Sequence, residues 1–275
     1  MGLVINNNLS SLSIVHSLSR SMSEQKTSFQ RIASGERITS AAEDPAGLSI
    51  AERLRKQIRS LKQAERNTMD AASFAQVAEG AMTELSNGLI RLRELGIQAA
   101  SDTVGENERA SLQLEAESII QGFNHIAEST TFNGIHLLNG SVDNLTFQVG
   151  TENSENDRLQ FDTRLADVRS RTLGVDGINL NSLSGAEDSL GVIDEAFGKV
   201  LSTRATLGAI QNRLLSENRT IQNITEQYTQ ARSNIMDTDL AQETYELVKS
   251  NILQQAGIAV LAQANQAPAQ ALKLL

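Results

Sequence analysis

The chain has 275 residues, 40% of them apolar, and a formal net charge of -9. That acidity argues against a nucleic-acid binder, which needs a basic face, and against docking on anionic lipid. Cysteine and tryptophan are absent and aromatics make up only 3%, which excludes disulfides, thiolate metal sites and cysteine nucleophiles and favours thin helical packing over a thick globular core.

The N-terminal stretch has an apolar stripe at helical spacing: Ile5, Leu9, Leu12, Val15, Leu18 and Met22. Its other faces are Asn and Ser, with only His16 and Arg20 ionisable before Glu24. An interfacial membrane helix carries a Lys/Arg-rich polar face, so this stretch is read as packing on protein. No basic-then-apolar leader opens the chain, and no run of about 18 apolar residues is present to span a bilayer.

A long helix follows. Leu54, Leu61, Thr68, Ala75, Met82 and Leu89 fall seven apart, with Ala64, Ala71, Ala78, Leu85, Leu92 and Ala99 on a second track. Its start is signalled twice, by Asp44 before Pro45 and by Ser49 with Glu52. A shorter helix fits Glu106 to Ala127, with Leu112, Ala116, Ile119, Phe123 and Ile126 on one face. Between 131 and 181, Gly, Asn and Asp are frequent and short runs alternate: Leu145, Phe147 and Val149, then Leu159 and Phe161. This predicts a β-hairpin or small sheet. Residues Ile178 to Ala186 form a polar loop where the chain reverses.

The last third has the strictest heptad. Ile193, Val200, Leu207, Leu214, Ile221, Tyr228 and Ile235 recur at intervals of seven. A helix of that span is about 65 Å long and needs other long helices beside it. The tail repeats the character of the N-terminus: Leu247, Ile252, Ile258, Leu261, Leu272 and Leu275 mark an apolar face, and from Asn251 onward the only ionisable side chain is Lys273. The expected fold class is therefore mainly α, a long antiparallel coiled-coil-like helical rod with a small β-hairpin region and the N- and C-terminal helices paired at one pole. The expected division is an inner-core helical domain from 1–46 and 233–275, and a rod domain at 47–232. Two uncharged apolar ends can cover each other only in part. They are expected to stay disordered in the lone chain and to order on packing with other copies.

No chemistry-bearing constellation emerges. His16, His125 and His136 form no ligand pair, the glycines form no phosphate loop, and no nucleophile elbow is present. Glu52 with Arg55 and Lys56 is ordinary helix-face pairing. No catalytic residue, metal or cofactor is expected.

Several segments resemble bacterial flagellin: Ile38-Thr39-Ser40-Ala41-Ala42-Glu43-Asp44-Pro45-Ala46-Gly47-Leu48-Ser49-Ile50-Ala51, then Gln63-Ala64-Glu65-Arg66-Asn67 and Ala78-Glu79-Gly80-Ala81. Toward the C-terminus, Leu207-Gly208-Ala209-Ile210-Gln211-Asn212-Arg213-Leu214 and the ending from Ile252 to Gln266 and from Leu272 to Leu275 resemble it as well. The resemblance is collinear and covers essentially the whole chain. It implies a short flagellin without large outer domains, which would be inserted near Ile178 to Ala186. The implied function is a structural subunit that polymerises with itself into the flagellar filament, with no enzymatic activity. It also implies export without signal cleavage to the cell exterior. The implied partners are the export apparatus and chaperone, the filament cap and the hook-junction proteins. The assembly interface is expected at Ile5, Leu9, Leu12, Leu18, Met22, Leu247, Ile252, Ile258, Leu261, Leu272 and Leu275. The family's contact with animal innate receptors maps onto Arg91, Leu95 and Glu115, although Ile90 and Gly96 depart from the common pattern. Two alternatives share parts of this pattern: a hook–filament junction protein of the same superfamily and a non-flagellar signalling coiled coil, the latter disfavoured by the β-region and the uncharged ends.

Overall fold

A computed structural model describes residues 8–272 of the chain. It is mainly helical. The α-helices among the described residues are α1 (Leu9–Ser34), α2 (Pro45–Ala99), α3 (Glu106–Ser129), α4 (Ser170–Leu173), α5 (Leu183–Met236) and α6 (Leu240–Leu272). Two antiparallel strand pairs lie between α3 and α4 in the sequence: β1 (Thr131–Phe132) with β2 (Ile135–His136), and β3 (Asn144–Gln148) with β4 (Arg158–Asp162). The chain divides into a terminal unit, Met1–Ile58 with Glu226–Leu275, and a central unit, Arg59–Thr225.

In the central unit the heptads are the core. Met82, Leu85, Leu89, Leu92 and Leu95 of α2 are buried together with Ile193, Val200 and Leu207 of α5. Three cross-helix contacts fix the antiparallel direction of this pair: Arg93 to Asp194 at 2.7 Å, Gln211 to Glu79 at 2.9 Å and Gln222 to Glu65 at 2.9 Å. Small Ala residues of the second track (Ala64, Ala71, Ala78 and Ala99) are also buried, which lets backbones approach closely. Helix α3 packs back on α2 with Ala116, Phe123 and Ala127 inward. The Phe123 ring lies so close to Gly88 that a Cβ there would meet its Cε1 at 2.4 Å, which explains a glycine in mid-helix.

Strands β3 and β4 pair Leu145 with Phe161 and Phe147 with Leu159. The Phe74 ring of α2 joins Phe132, Phe147 and Phe161 with ring centroids 6.2, 5.4 and 5.5 Å away. Four of the chain's nine aromatics meet there, pinning the strands to the helices. The β-structure is narrower than the expected 131–181 span: it ends at Asp162, and short helical turns fill 163–177.

In the terminal unit α1 and α6 run antiparallel. Asn8 caps α1, its Oδ1 accepting the Ser11 N–H at 3.0 Å. Gly35 ends it at φ 73, the left-handed conformation a helix stop favours, with its N–H on the Arg31 carbonyl at 2.8 Å. Of the two start signals for α2, the first is used: Asp44 Oδ1 accepts the Gly47 N–H at 2.9 Å with Pro45 as the first helical residue. A Cβ on Gly47 would meet Asp44 Oδ2 at 2.3 Å and Ile38 Cδ1 at 2.9 Å.

The segment between α1 and α2 is tied to the end of α5. The Arg37 N–H donates to the Met236 carbonyl at 2.5 Å, the Thr238 N–H to the Gly35 carbonyl at 3.0 Å, and Arg232 pairs with Glu36 at 2.9 Å. Ile38, Ala51 and Met236 form a small buried cluster beneath. Asp239 then starts α6, accepting the Ala241 N–H at 2.9 Å.

Candidate assembly interface

The α1–α6 pair is built from residues that rarely make a helix seam. The buried residues of the described parts of both helices are Ser21 and Ser28 on α1 and Glu243 and Ser250 on α6. Ser21 Oγ donates to the Ser250 carbonyl at 3.0 Å, and Gln25 Nε2 to Asn251 Oδ1. Further along, Ser11 Oγ donates to Asn265 Oδ1 at 3.1 Å and Asn8 Nδ2 to the Ala264 carbonyl at 3.0 Å.

The large apolar side chains are elsewhere on the same helices. Leu9 is 72% exposed, Met22 51%, Ile252 60% and Ile258 54%, and Leu12 and Val15 are exposed too. Leu18, Leu247 and Leu261 are half-buried. Ile5, Leu275 and the Leu272 side chain lie outside the described residues. Phe29 on α1 and Tyr245, Val248, Leu253 and Val260 on α6 are also exposed, and a single-stripe reading of the sequence missed them. The available signal was that α6 is apolar on more than one face, which marks a helix meant to be covered all round.

Residues 9–34 and 240–272 are helices packed on each other. The hydrogen bonds of the pairing run from polar side chains of α1 to side chains and backbone carbonyls of α6, and much of the apolar stripe stays uncovered.

Charge near these helices is sparse and local. Lys249 is raised above its ordinary value by its hydrogen bond to Glu246 at 3.0 Å. Among the described residues, no group of three His, Cys, Asp or Glu is placed to hold a metal, and no helix is long and apolar enough to cross a membrane.

The receptor-contact residues separate. Arg91 and Glu115 are on the surface, ion-paired at 2.7 Å, with Glu94 also on Arg91 at 3.0 Å. Leu95 is fully buried in the core beside the α5 heptad, because it continues the inward face of Leu85 and Leu92. It is a packing residue here, not an exposed contact.

A family model described as the bacterial flagellin N-terminal helical region matches residues 5–143, and one described as the C-terminal helical region matches 190–275. The chain belongs to the bacterial flagellin family. It is 35% identical over 273 residues to a flagellin of Halalkalibacterium halodurans, spanning 99% of this chain and 100% of that protein. It is 37% identical to a flagellin of Bacillus subtilis, spanning 98% and 99%. A flagellar filament core protein of Brachyspira hyodysenteriae is 33% identical over 99% of this flagellin. Among solved structures, Bacillus cereus flagellin superposes with a TM-score of 0.51 at 28% identity, covering 57% of this chain and 88% of that one. A Vibrio parahaemolyticus structure described as a putative flagellar hook-associated protein has a TM-score of 0.60 at 15% identity and covers 71% of this chain, a likeness of fold alone. This flagellin is a structural subunit of the flagellar filament.

Proposed function

We propose that the outward apolar faces of α1 and α6 are the surfaces through which copies of this flagellin hold one another in the filament. The observation that carries this is the contrast on one helix pair: Ser, Gln and Asn make the seam's hydrogen bonds, while Leu9, Leu12, Met22, Ile252 and Ile258 are left in solvent. A monomer gains nothing from that exposure. Each such side chain contributes about 1.5–3 kcal/mol when a neighbour covers it. A heterologous contact between identical copies that does not close on itself generates a helical filament.

In this reading segments 1–46 and 233–275 form the assembling inner core, and 47–232 the helical part that gives each subunit its length. The role is structural, without catalysis. Membership of the family supports operation of the filament outside the cell, with the export apparatus, chaperone, cap and hook-junction proteins as proposed partners. The test is Ile258→Asp in the full chain. Seeded elongation should stop while the monomer keeps its helical circular dichroism. Elongation at the unmodified rate would contradict the reading.

A further inference from the structure

The four contacts of the α1–α6 seam define one alignment. As the α1 partner moves from Asn8 through Ser11 and Ser21 to Gln25, the α6 partner moves back from Ala264 and Asn265 to Ser250 and Asn251. Between them Leu18 lies against Gly257, where a Cβ would sit 3.5 Å from Leu18 Cδ1, an ordinary contact. An apolar seam tolerates sliding, because one greasy side chain replaces another. The buried Ser21 hydroxyl and the half-buried Gln25–Asn251 amide pair resist it, because sliding separates each from its partner. Rotation is restricted in the same way. Successive helical residues point about 100° apart, so turning Met22 inward turns Ser21 out of the seam.

We propose that Ser21, Gln25 and Asn251 are positioning residues for assembly. They hold α1 and α6 in the single register and rotation that keeps Leu12, Val15 and Met22 on one helix, and Ile252, Ile258 and Val260 on the other, outside and available to neighbouring copies. A single polar contact in a helix seam is known to fix register at some cost in stability, and here several do so along one pair. The inference rests on the reading of the outer faces as subunit contacts, and its test separates the two.

The chain has no cysteine, so an introduced pair reports register without background. Ser11→Cys with Asn265→Cys reports the observed alignment, in which the native side chains meet at 3.1 Å. Ser11→Cys with Leu261→Cys can bridge only after a slide of about one turn. Each pair is placed in the full chain with Ser21, Gln25 and Asn251 intact and in a Ser21→Leu/Gln25→Leu background, then oxidised in solution and after addition to filament seeds. With the native seam the first bridge should exceed the second by about tenfold or more, and the apolar seam should bring the two within about threefold and slow seeded elongation about tenfold. Ser21→Ala, which removes one hydrogen bond without adding bulk, should shift the ratio in the same direction by less. An unchanged ratio in the apolar background overturns the inference whatever elongation does. So does failure of the first bridge in assembled chains with the native seam. Elongation of Ile258→Asp at the normal rate would instead overturn the reading of the outer faces and leave the register result standing.

Discussion

Glu243 of α6, only 8% exposed, stands 3.8 Å from Arg31 of α1. The same guanidinium reaches Glu43 at 3.3 Å, so one arginine links both terminal helices to the segment that joins α1 to α2. Glu243 is the one charged side chain buried between α1 and α6 among the described residues.

Removing that carboxylate leaves Arg31 half-buried with a single acidic partner. Glu243→Ala is expected to destabilise the terminal unit by about 1–2 kcal/mol, between the surface and buried ion-pair regimes. Glu243→Gln, which keeps the shape, should cost less. Thermal unfolding of the full chain followed by circular dichroism measures both, and equal stability of the Ala variant and the native chain would show the pair to be idle.

Glu43 makes the same region sensitive to acid. Its carboxylate accepts the Thr39 N–H at 2.7 Å, and this bond, helped by the Thr39 hydroxyl and Arg31, outweighs burial and holds its pKa below the usual glutamate range. A carboxyl whose folded pKa is depressed contributes stability above its unfolded pKa and loses it as pH falls through the folded one. Amide exchange in residues 35–44 should therefore quicken as pH drops below about 4.3, the ordinary glutamate value, after correction for intrinsic rates. In Glu43→Gln the same amides should exchange faster at neutral pH and lose that acid dependence. Identical profiles in the two proteins would show that Glu43 does not hold the segment.

In the central unit two opposite changes should both destabilise. Leu207→Ala empties a fully buried heptad position and should cost about 2–5 kcal/mol. Gly88→Ala adds a methyl where the Phe123 ring stands and should cost about 1–3 kcal/mol through displacement of α3. Denaturant midpoints measure each. A neutral Gly88→Ala would mean that the ring moves freely and that α3 is loosely held.

The heptad helices were legible because their apolar period is long and strict. Every position from Ile193 to Ile221 on α5, and from Leu61 to Leu89 on α2, is buried as the spacing requires. The hairpin was legible from the alternation of Leu145, Phe147, Leu159 and Phe161, which pair in register. The start of α2 was ambiguous because Asp44 and Ser49 both resemble caps, and only the Asp44 to Gly47 hydrogen bond distinguishes them. The break between α5 and α6 was not read, although Asp237 and Asp239 flank it and Asp239 caps the helix that follows. Leu95 was misplaced because a carried-over contact ignored its heptad position, three residues after Leu92 and six after Leu89. The polar seam was invisible for a simpler reason. Ser, Gln and Asn read as solvent-facing unless something shows that two such faces meet.

The apolar outer faces carry the account, and a graded series tests them most directly. Met22→Ala, Ile252→Ala, Ile258→Ala and Val260→Ala each remove one exposed apolar side chain without touching the seam contacts. The measurement is the critical concentration for elongation from native seeds, with circular dichroism of each monomer alongside. A side chain buried on assembly is worth about 1.5–3 kcal/mol, so each substitution should raise the critical concentration by about tenfold or more with the monomer spectrum unchanged. Critical concentrations that stay at the native value across the series would contradict the account.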